Sequence, residues 1–193
     1  HDLERYNLHA RYLSDRWTAL GVDELATRLG RHNPDIYAYR FDWDEQPSYP
    51  QADFKEFFGA GHAMELPFLF NDFAGMPVFA LHFTEQNRPG REQLATAMGD
   101  YWGQFAWSGE PGRGRSGDLS AWPRWGEGNK LILDTAPAGG SRLSGVLTMK
   151  SLYERFTGDE SFASPQEKAG FGQALFGGRE AWDEYFQAQY ESP

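Results

Sequence analysis

The segment Asp35-Ile-Tyr-Ala-Tyr-Arg-Phe-Asp-Trp43 constrains the fold more than any other stretch of the chain. It is rich in residues that favour strands, and Pro34 and the polar Asp44-Glu-Gln-Pro47 break bound it, which predicts a strand. Its nearly continuous aromatic character suits a strand covered on both faces, as in a parallel sheet. Such a strand needs neighbours on each side to satisfy its backbone groups. Only one other segment, Lys130-Leu-Ile-Leu-Asp134, reads convincingly as a strand. Most of the sheet is therefore expected to lie in sequence outside this chain.

The remaining pattern is helical and loop-like. Leu8, Tyr12, Leu13 and Trp17 form a helical stripe within Leu3 to Leu20, and Asp23 is placed to cap a short helix over Glu24 to Leu29. The strongest helix runs from Arg91 to Trp107, with Leu94, Met98, Tyr101, Trp102 and Phe105 on one face. Glu110 to Gly128 reads as a surface loop and Ala136 to Gly145 as a glycine-rich connection. Leu147 to Phe156 and Glu180 to Tyr190 look helical, with Pro165 and Gly177-Gly178 as breaks. No fixed-period repeat and no internal linker divides the sequence, so residues 1–193 are read as one segment.

Composition narrows the function classes. With 15 Phe, 9 Tyr and 7 Trp, an ordered, packed body is expected rather than disorder. The net charge of −10 would repel nucleic acid and anionic membrane surfaces before contact. No run approaches the ~18 apolar residues of a membrane span. No secretory signal opens the chain, which carries little weight if the natural N-terminus lies upstream of His1. The absence of cysteine removes disulfides, thiolate–zinc sites and cysteine nucleophiles, and leaves the compartment open.

Among chemistry-bearing residues, a nucleophilic elbow G-x-S-x-G is missing; Gly114-Arg-Ser116-Gly-Asp is the nearest approach, in a loop without strand or helix context. No phosphate-cradling loop occurs. His62-Ala-Met-Glu65 has H-x-x-E spacing, but zinc needs three or four convergent ligands, and His1, His9, His32 and His82 show no matching spacing. No metal or cofactor is expected. Asp42, Asp44 and Glu45 beside aromatic residues offer a carbohydrate-processing alternative. His62 stands out by context. Gly59 and Gly61 permit a tight loop in front of it, and Phe57, Phe58, Met64 and Leu66 would exclude water and keep its imidazole neutral, as a general base requires.

The stretch Phe57-Phe-Gly-Ala-Gly-His-Ala-Met-Glu-Leu-Pro-Phe-Leu-Phe70 resembles the catalytic-histidine signature of the type-B carboxylesterase and cholinesterase family, roughly G-[AV]-x-H-[GA]-x-E-[LI]-P-[FY]-[VL]-F. Three further blocks follow the family's order. Asp35 to Asp42 resembles the strand that feeds the histidine loop. Pro89-Gly-Arg-Glu through Trp107-Ser-Gly-Glu-Pro111 is similar to its "yW-x-nFa-x-tGdPn" helix. Trp122-Pro-Arg-Trp with Leu131-Ile-Leu-Asp134 is similar to its "WP-x-y … l-x-l-d" block. Together they span about Leu3 to Phe156, and the tail beyond Thr157 resembles nothing in the family.

This resemblance implies an α/β fold: the C-terminal part of an α/β-hydrolase, a few strands with flanking helices, the core sheet largely upstream, and the catalytic-histidine loop at 59–70. It implies hydrolysis of a small-molecule carboxylic ester through an acyl-enzyme, with His62 as the triad base. Phe57, Phe58 and Met64 fall where family members line the substrate pocket, or equally where a loop simply packs. Glu65 would orient the loop rather than serve as triad acid, because the chain order in this fold is serine, then acid, then histidine. The partner implied is the N-terminal part of the same enzyme, carrying the serine and the Asp or Glu. Met64 in place of the tyrosine typical of cholinesterases argues against a choline-specific site. The rival reading is a non-catalytic cholinesterase-like interaction domain.

Overall fold

The computed structural model describes residues 2–75, 77–127 and 129–177, and these fall into two compact units. One unit combines His1–Leu25 with Val146–Pro193; the other is Ala26–Gly145. The expected helix over Glu180 to Tyr190 lies outside the described residues.

The Ala26–Gly145 unit carries the sheet. Strand β1 (Tyr39–Phe41) pairs in parallel with β4 (Lys130–Leu133), and β5 (Arg142–Ser144) adds to β4 in antiparallel sense, giving the order β1-β4-β5. Between β1 and β4 lie a short hairpin, β2 (Ser48–Tyr49) and β3 (Ala52–Asp53), and the helices α3 (Phe54–Phe57), α4 (Leu66–Leu69) and α5 (Arg88–Ser108). The parallel pairing expected of the aromatic segment is present. The regular ladder is shorter than the predicted 35–43, and its N-terminal approach is held from outside the sheet: Ile36 C=O accepts from the Trp125 amide, and Ala38 C=O from the Trp122 indole as well as from the Leu131 amide. The Trp122-Pro-Arg-Trp block thus fastens the approach to β1.

Cover along β1 is uneven among the described residues, with Ala38 buried and Asp42 half-buried on the face that carries Arg40. Phe41 and Trp43 are buried and Tyr39 is partly so, while Arg40 points to solvent. By contrast all four residues of β4 are buried, Lys130 included, its ammonium donating to the Gly145 carbonyl at 2.9 Å. Strand β5 falls in the stretch expected to be a glycine-rich connection. Gly139 and Gly140, both with positive φ, make the turn, and three residues without strand-favouring side chains then pair because the buried β4 offers them a ladder.

Helix α5 agrees with the strongest helical expectation and buries Leu94, Ala95, Met98 and Tyr101 against Phe41, Trp43, Phe68, Leu131 and Leu133. Gly109 ends it in the left-handed conformation, φ 78°. Phe105, placed on the same face by its spacing, is half-exposed because the core ends one turn earlier.

The other unit is built from helices α1 (Asp2–Trp17), α6 (Met149–Gly158) and α7 (Pro165–Phe176) around Tyr12, Ala19, Met149, Leu152, Phe156, Leu175 and Phe176. Its chain stays helical past Trp17 through a π-helical turn, Thr18–Asp23, into α2 (Glu24–Gly30). Asp23 therefore opens no separate helix; its carboxylate accepts the Leu147 amide at 2.6 Å. The apolar stripe on α1 is also narrower than expected. Tyr12 points inward, but Leu13 and Trp17 sit on the neighbouring face and are exposed. Pro165 begins a helix rather than breaking one: it occupies the first turn of α7, where a missing N–H costs nothing, behind Ser164, whose side chain caps the Glu167 amide. Gly177 ends α7 with φ 79°, in keeping with a break there.

Candidate active site around His62

The histidine loop is shaped by backbone geometry. Helix α3 ends as the Phe58 amide bonds to the Phe54 carbonyl, and Gly59 follows at φ +47°. At Gly61 a Cβ would meet the Phe58 carbonyl oxygen at 2.9 Å, so only glycine fits without moving the loop. The Met64 amide then closes a turn onto the Gly61 carbonyl at 3.1 Å. His62 is the second residue of that turn and Ala63 the third, with φ 67°. A positive φ at the third position marks a type II turn, which favours glycine, and alanine carries the smallest side chain after it. The Gly-or-Ala choice after the histidine in the quoted signature thus has a steric cause.

Beyond the turn the chain is anchored in the core. Met64 is only 2% exposed and packs with Phe41, Trp43 and Phe68. Phe68, fully buried on α4, meets the Phe41 ring edge-on at 5.0 Å and lies 5.0 Å from Trp43. His62 itself is exposed. Phe57 and Phe58 are 57% and 52% exposed, so these rings do not form the water-excluding cover expected over the imidazole; the apolar side chain that turns inward is Met64. Glu65 contributes its backbone carbonyl to the first turn of α4, and its carboxylate does not cap that turn. Its charge faces the Tyr39 phenol, whose pKa is raised, chiefly by burial and then by Glu65.

The loop is also tied to the chain leaving β1. The Gln46 side-chain amide donates to the Gly59 carbonyl at 2.5 Å. Next to it, the Glu45 carbonyl accepts from Asn87 Nδ2 at 2.9 Å, and the Glu45 carboxylate accepts from the Thr135 hydroxyl. Asn87 N-caps α5 by position and also holds the His82 carbonyl and the Arg91 guanidinium. None of Gln46, Asn87 or Thr135 stood out in the sequence, because single polar residues in turns carry no pattern; only their buried positions mark them.

The other candidates disperse. The Ser116 hydroxyl donates to Asp100 at 2.7 Å, an arrangement that lowers the Asp100 pKa and places no base at the oxygen. Asp42 is held by Arg40 at 2.6 and 2.5 Å and Asp44 by Lys55 at 3.1 Å, so the two carboxylates sit in separate ion pairs. His9 stacks on Phe171 and His82 is buried among Phe54, Phe58 and Phe79. Among the described residues no three His, Asp or Glu side chains converge as a metal site would require, and no helix is long and apolar enough to cross a membrane.

The carboxylesterase family model matches residues 3–146. The chain belongs to the carboxylesterase family. The match contains the whole Ala26–Gly145 unit and the histidine loop, and it stops ten residues short of the Phe156 limit read from the sequence. Among solved structures, this carboxylesterase-family chain is similar to one named PNB esterase, at 25% identity and a TM-score of 0.44. That likeness covers 67% of this chain but 22% of the other, so the chain spans about a fifth of that esterase's length. No curated protein matches it. The mixed helix and strand architecture, small sheets flanked by helices, agrees with the α/β class expected from the sequence.

Proposed function

We propose that this chain is the C-terminal part of a serine carboxylesterase and that His62 is its general base. The observation that carries the reading is an exposed imidazole on a sterically fixed turn, tied to the chain leaving β1, inside the segment matched to the carboxylesterase family. The C-terminal ends of parallel strands are where open α/β sheets form their clefts.

In this scheme the serine comes from sequence N-terminal to the chain. As its oxygen bonds to the ester carbonyl carbon, His62 accepts the hydroxyl proton. Collapse of the tetrahedral adduct breaks the bond to the alcohol, which leaves with the proton from His62 and an acyl-enzyme behind. Water then takes the alcohol's place: His62 accepts its proton, its oxygen bonds to the acyl carbon, and the serine leaves with that proton as the carboxylic acid is released. An Asp or Glu, also from preceding sequence, holds the imidazole in the required tautomer. Phe57 and Phe58 act as apolar walls on the approach to His62 once another part of the protein covers them, Met64 sets the loop from beneath, and Glu65 orients it. The substrate is a small carboxylic ester, and the scheme uses no cofactor.

In this scheme the 193 residues carry the base and take both the nucleophile and the triad acid from preceding sequence. Removing the serine of such a unit costs about as much as removing the whole triad. The chain by itself is therefore expected not to turn over p-nitrophenyl butyrate. Activity of the chain alone that is abolished by His62→Ala yet indifferent to serine-directed phosphonates would contradict the scheme.

A further inference from the structure

We propose that Gln46 is a positioning residue for His62, its side-chain amide fixing the histidine loop through the Gly59 carbonyl. The inference rests on His62 being the general base. Gln46 is buried and donates from Nε2 to Gly59 O at 2.5 Å, across thirteen residues of sequence. Gly59 stands three residues before His62, at the point where the backbone turns with positive φ. The next fixed points are the Gly61–Met64 turn and the buried Met64, so His62 lies between a clamp on one side and an anchor on the other.

The other end of the clamp is itself immobilised. Glu45 is bonded through its carbonyl to Asn87 at the start of α5 and through its carboxylate to Thr135, two residues past β4. Gln46 thus transmits the positions of β1, β4 and α5 to the loop. Its Oε1 is buried with no hydrogen-bond partner. A rotated amide would set that oxygen against the Gly59 carbonyl, acceptor facing acceptor, so the single Nε2 bond defines the orientation. The unmet Oε1 opposes folding and the Nε2 bond to Gly59 favours it, so the two offset each other in stability while the directional bond still fixes the loop's geometry.

The test uses Gln46→Leu and Gln46→Glu in the complete protein, assayed with p-nitrophenyl butyrate between about pH 8 and about pH 6, each as a ratio to the unsubstituted protein at the same pH. Gln46→Leu is expected to lower kcat about 10- to 100-fold with KM changed less than about twofold, since misplacing a reacting group by an ångström costs that much. The glutamate cannot donate when ionised but can when protonated, and burial raises its pKa. Its kcat ratio should therefore climb as the pH falls, while the Gln46→Leu ratio stays flat. Amide exchange in the complete protein should quicken at Phe58 and Met64, whose amides close the turns on either side of the clamp, in Gln46→Leu and stay unchanged in α5. A Gln46→Leu kcat within about threefold of the parent, a flat Gln46→Glu ratio, or unchanged exchange at Phe58 and Met64 would each overturn the proposal. Retained activity in His62→Ala, measured alongside, would instead overturn the general-base reading.

Discussion

At the scale of single residues, the histidine loop is governed by sterics more than by attraction. Gly61 has a backbone oxygen 2.9 Å from where its Cβ would stand, and a backbone group cannot rotate away as a side chain can. Gly61→Ala should therefore push the turn that carries His62 without touching the core beneath it. The expected result in the complete protein is a fall in kcat of about 10-fold or more, with thermal stability of the Ala26–Gly145 unit lowered by no more than about 1–2 kcal/mol. Kinetics and calorimetry on the same variant check it, and an unchanged kcat would mean the loop has slack that its backbone contacts deny. The two glycines before His62 were legible in the sequence because glycine has a specific conformational use. Ala63 at φ 67° was not, since nothing in its side chain announces a left-handed backbone.

At the scale of elements, local chemistry was readable and context was not. Helix α5 carries five regularly spaced apolar residues, and its existence and buried face followed from that spacing. Strand β5, Arg-Leu-Ser, exists because β4 is buried and needs a partner, which no local pattern reveals. Pro165 reads as a break because proline looks alike in sequence whether it stops a helix or starts one; the distinction lies in Ser164 before it. The joining of α1 to the end of α6 depends on one such context. Tyr12 is buried, and its hydroxyl donates to Asp159 at 2.6 Å. That bond, followed by those from Ser161, holds the Asp159 pKa down at about 2, while burial and the carboxylate push the Tyr12 phenol up to about 12. An acid whose folded pKa is depressed contributes stability that is fully present above its unfolded pKa, about 4, and lost as the pH falls toward about 2. Tyr12→Phe should raise the Asp159 pKa toward the ordinary carboxylate range and flatten the loss of stability across that acid window. A carboxylate titration by NMR checks this, and an unmoved Asp159 would show that Ser161 and Arg11 suffice.

At the scale of the whole molecule, the sequence carries its family in four ordered blocks, and the family model matches the region that holds all four. The blocks are legible because each serves a fixed geometric need: the strand, the histidine turn, the helix α5, and the tryptophans that bond to Ile36 and Ala38. The apolar cover expected over His62 does not come from Phe57 and Phe58. Aromatic residues near a histidine in sequence need not shield it, and Phe57 and Phe58 turn outward while Met64 turns in. Their exposure is what the account expects where preceding sequence supplies the rest of the sheet and the nucleophile. The measurement that bears most directly on this account is the turnover of the complete protein with His62→Ala. The account predicts a fall in kcat of about 10⁴-fold or more. A loss smaller than about tenfold would mean that His62 is not the base.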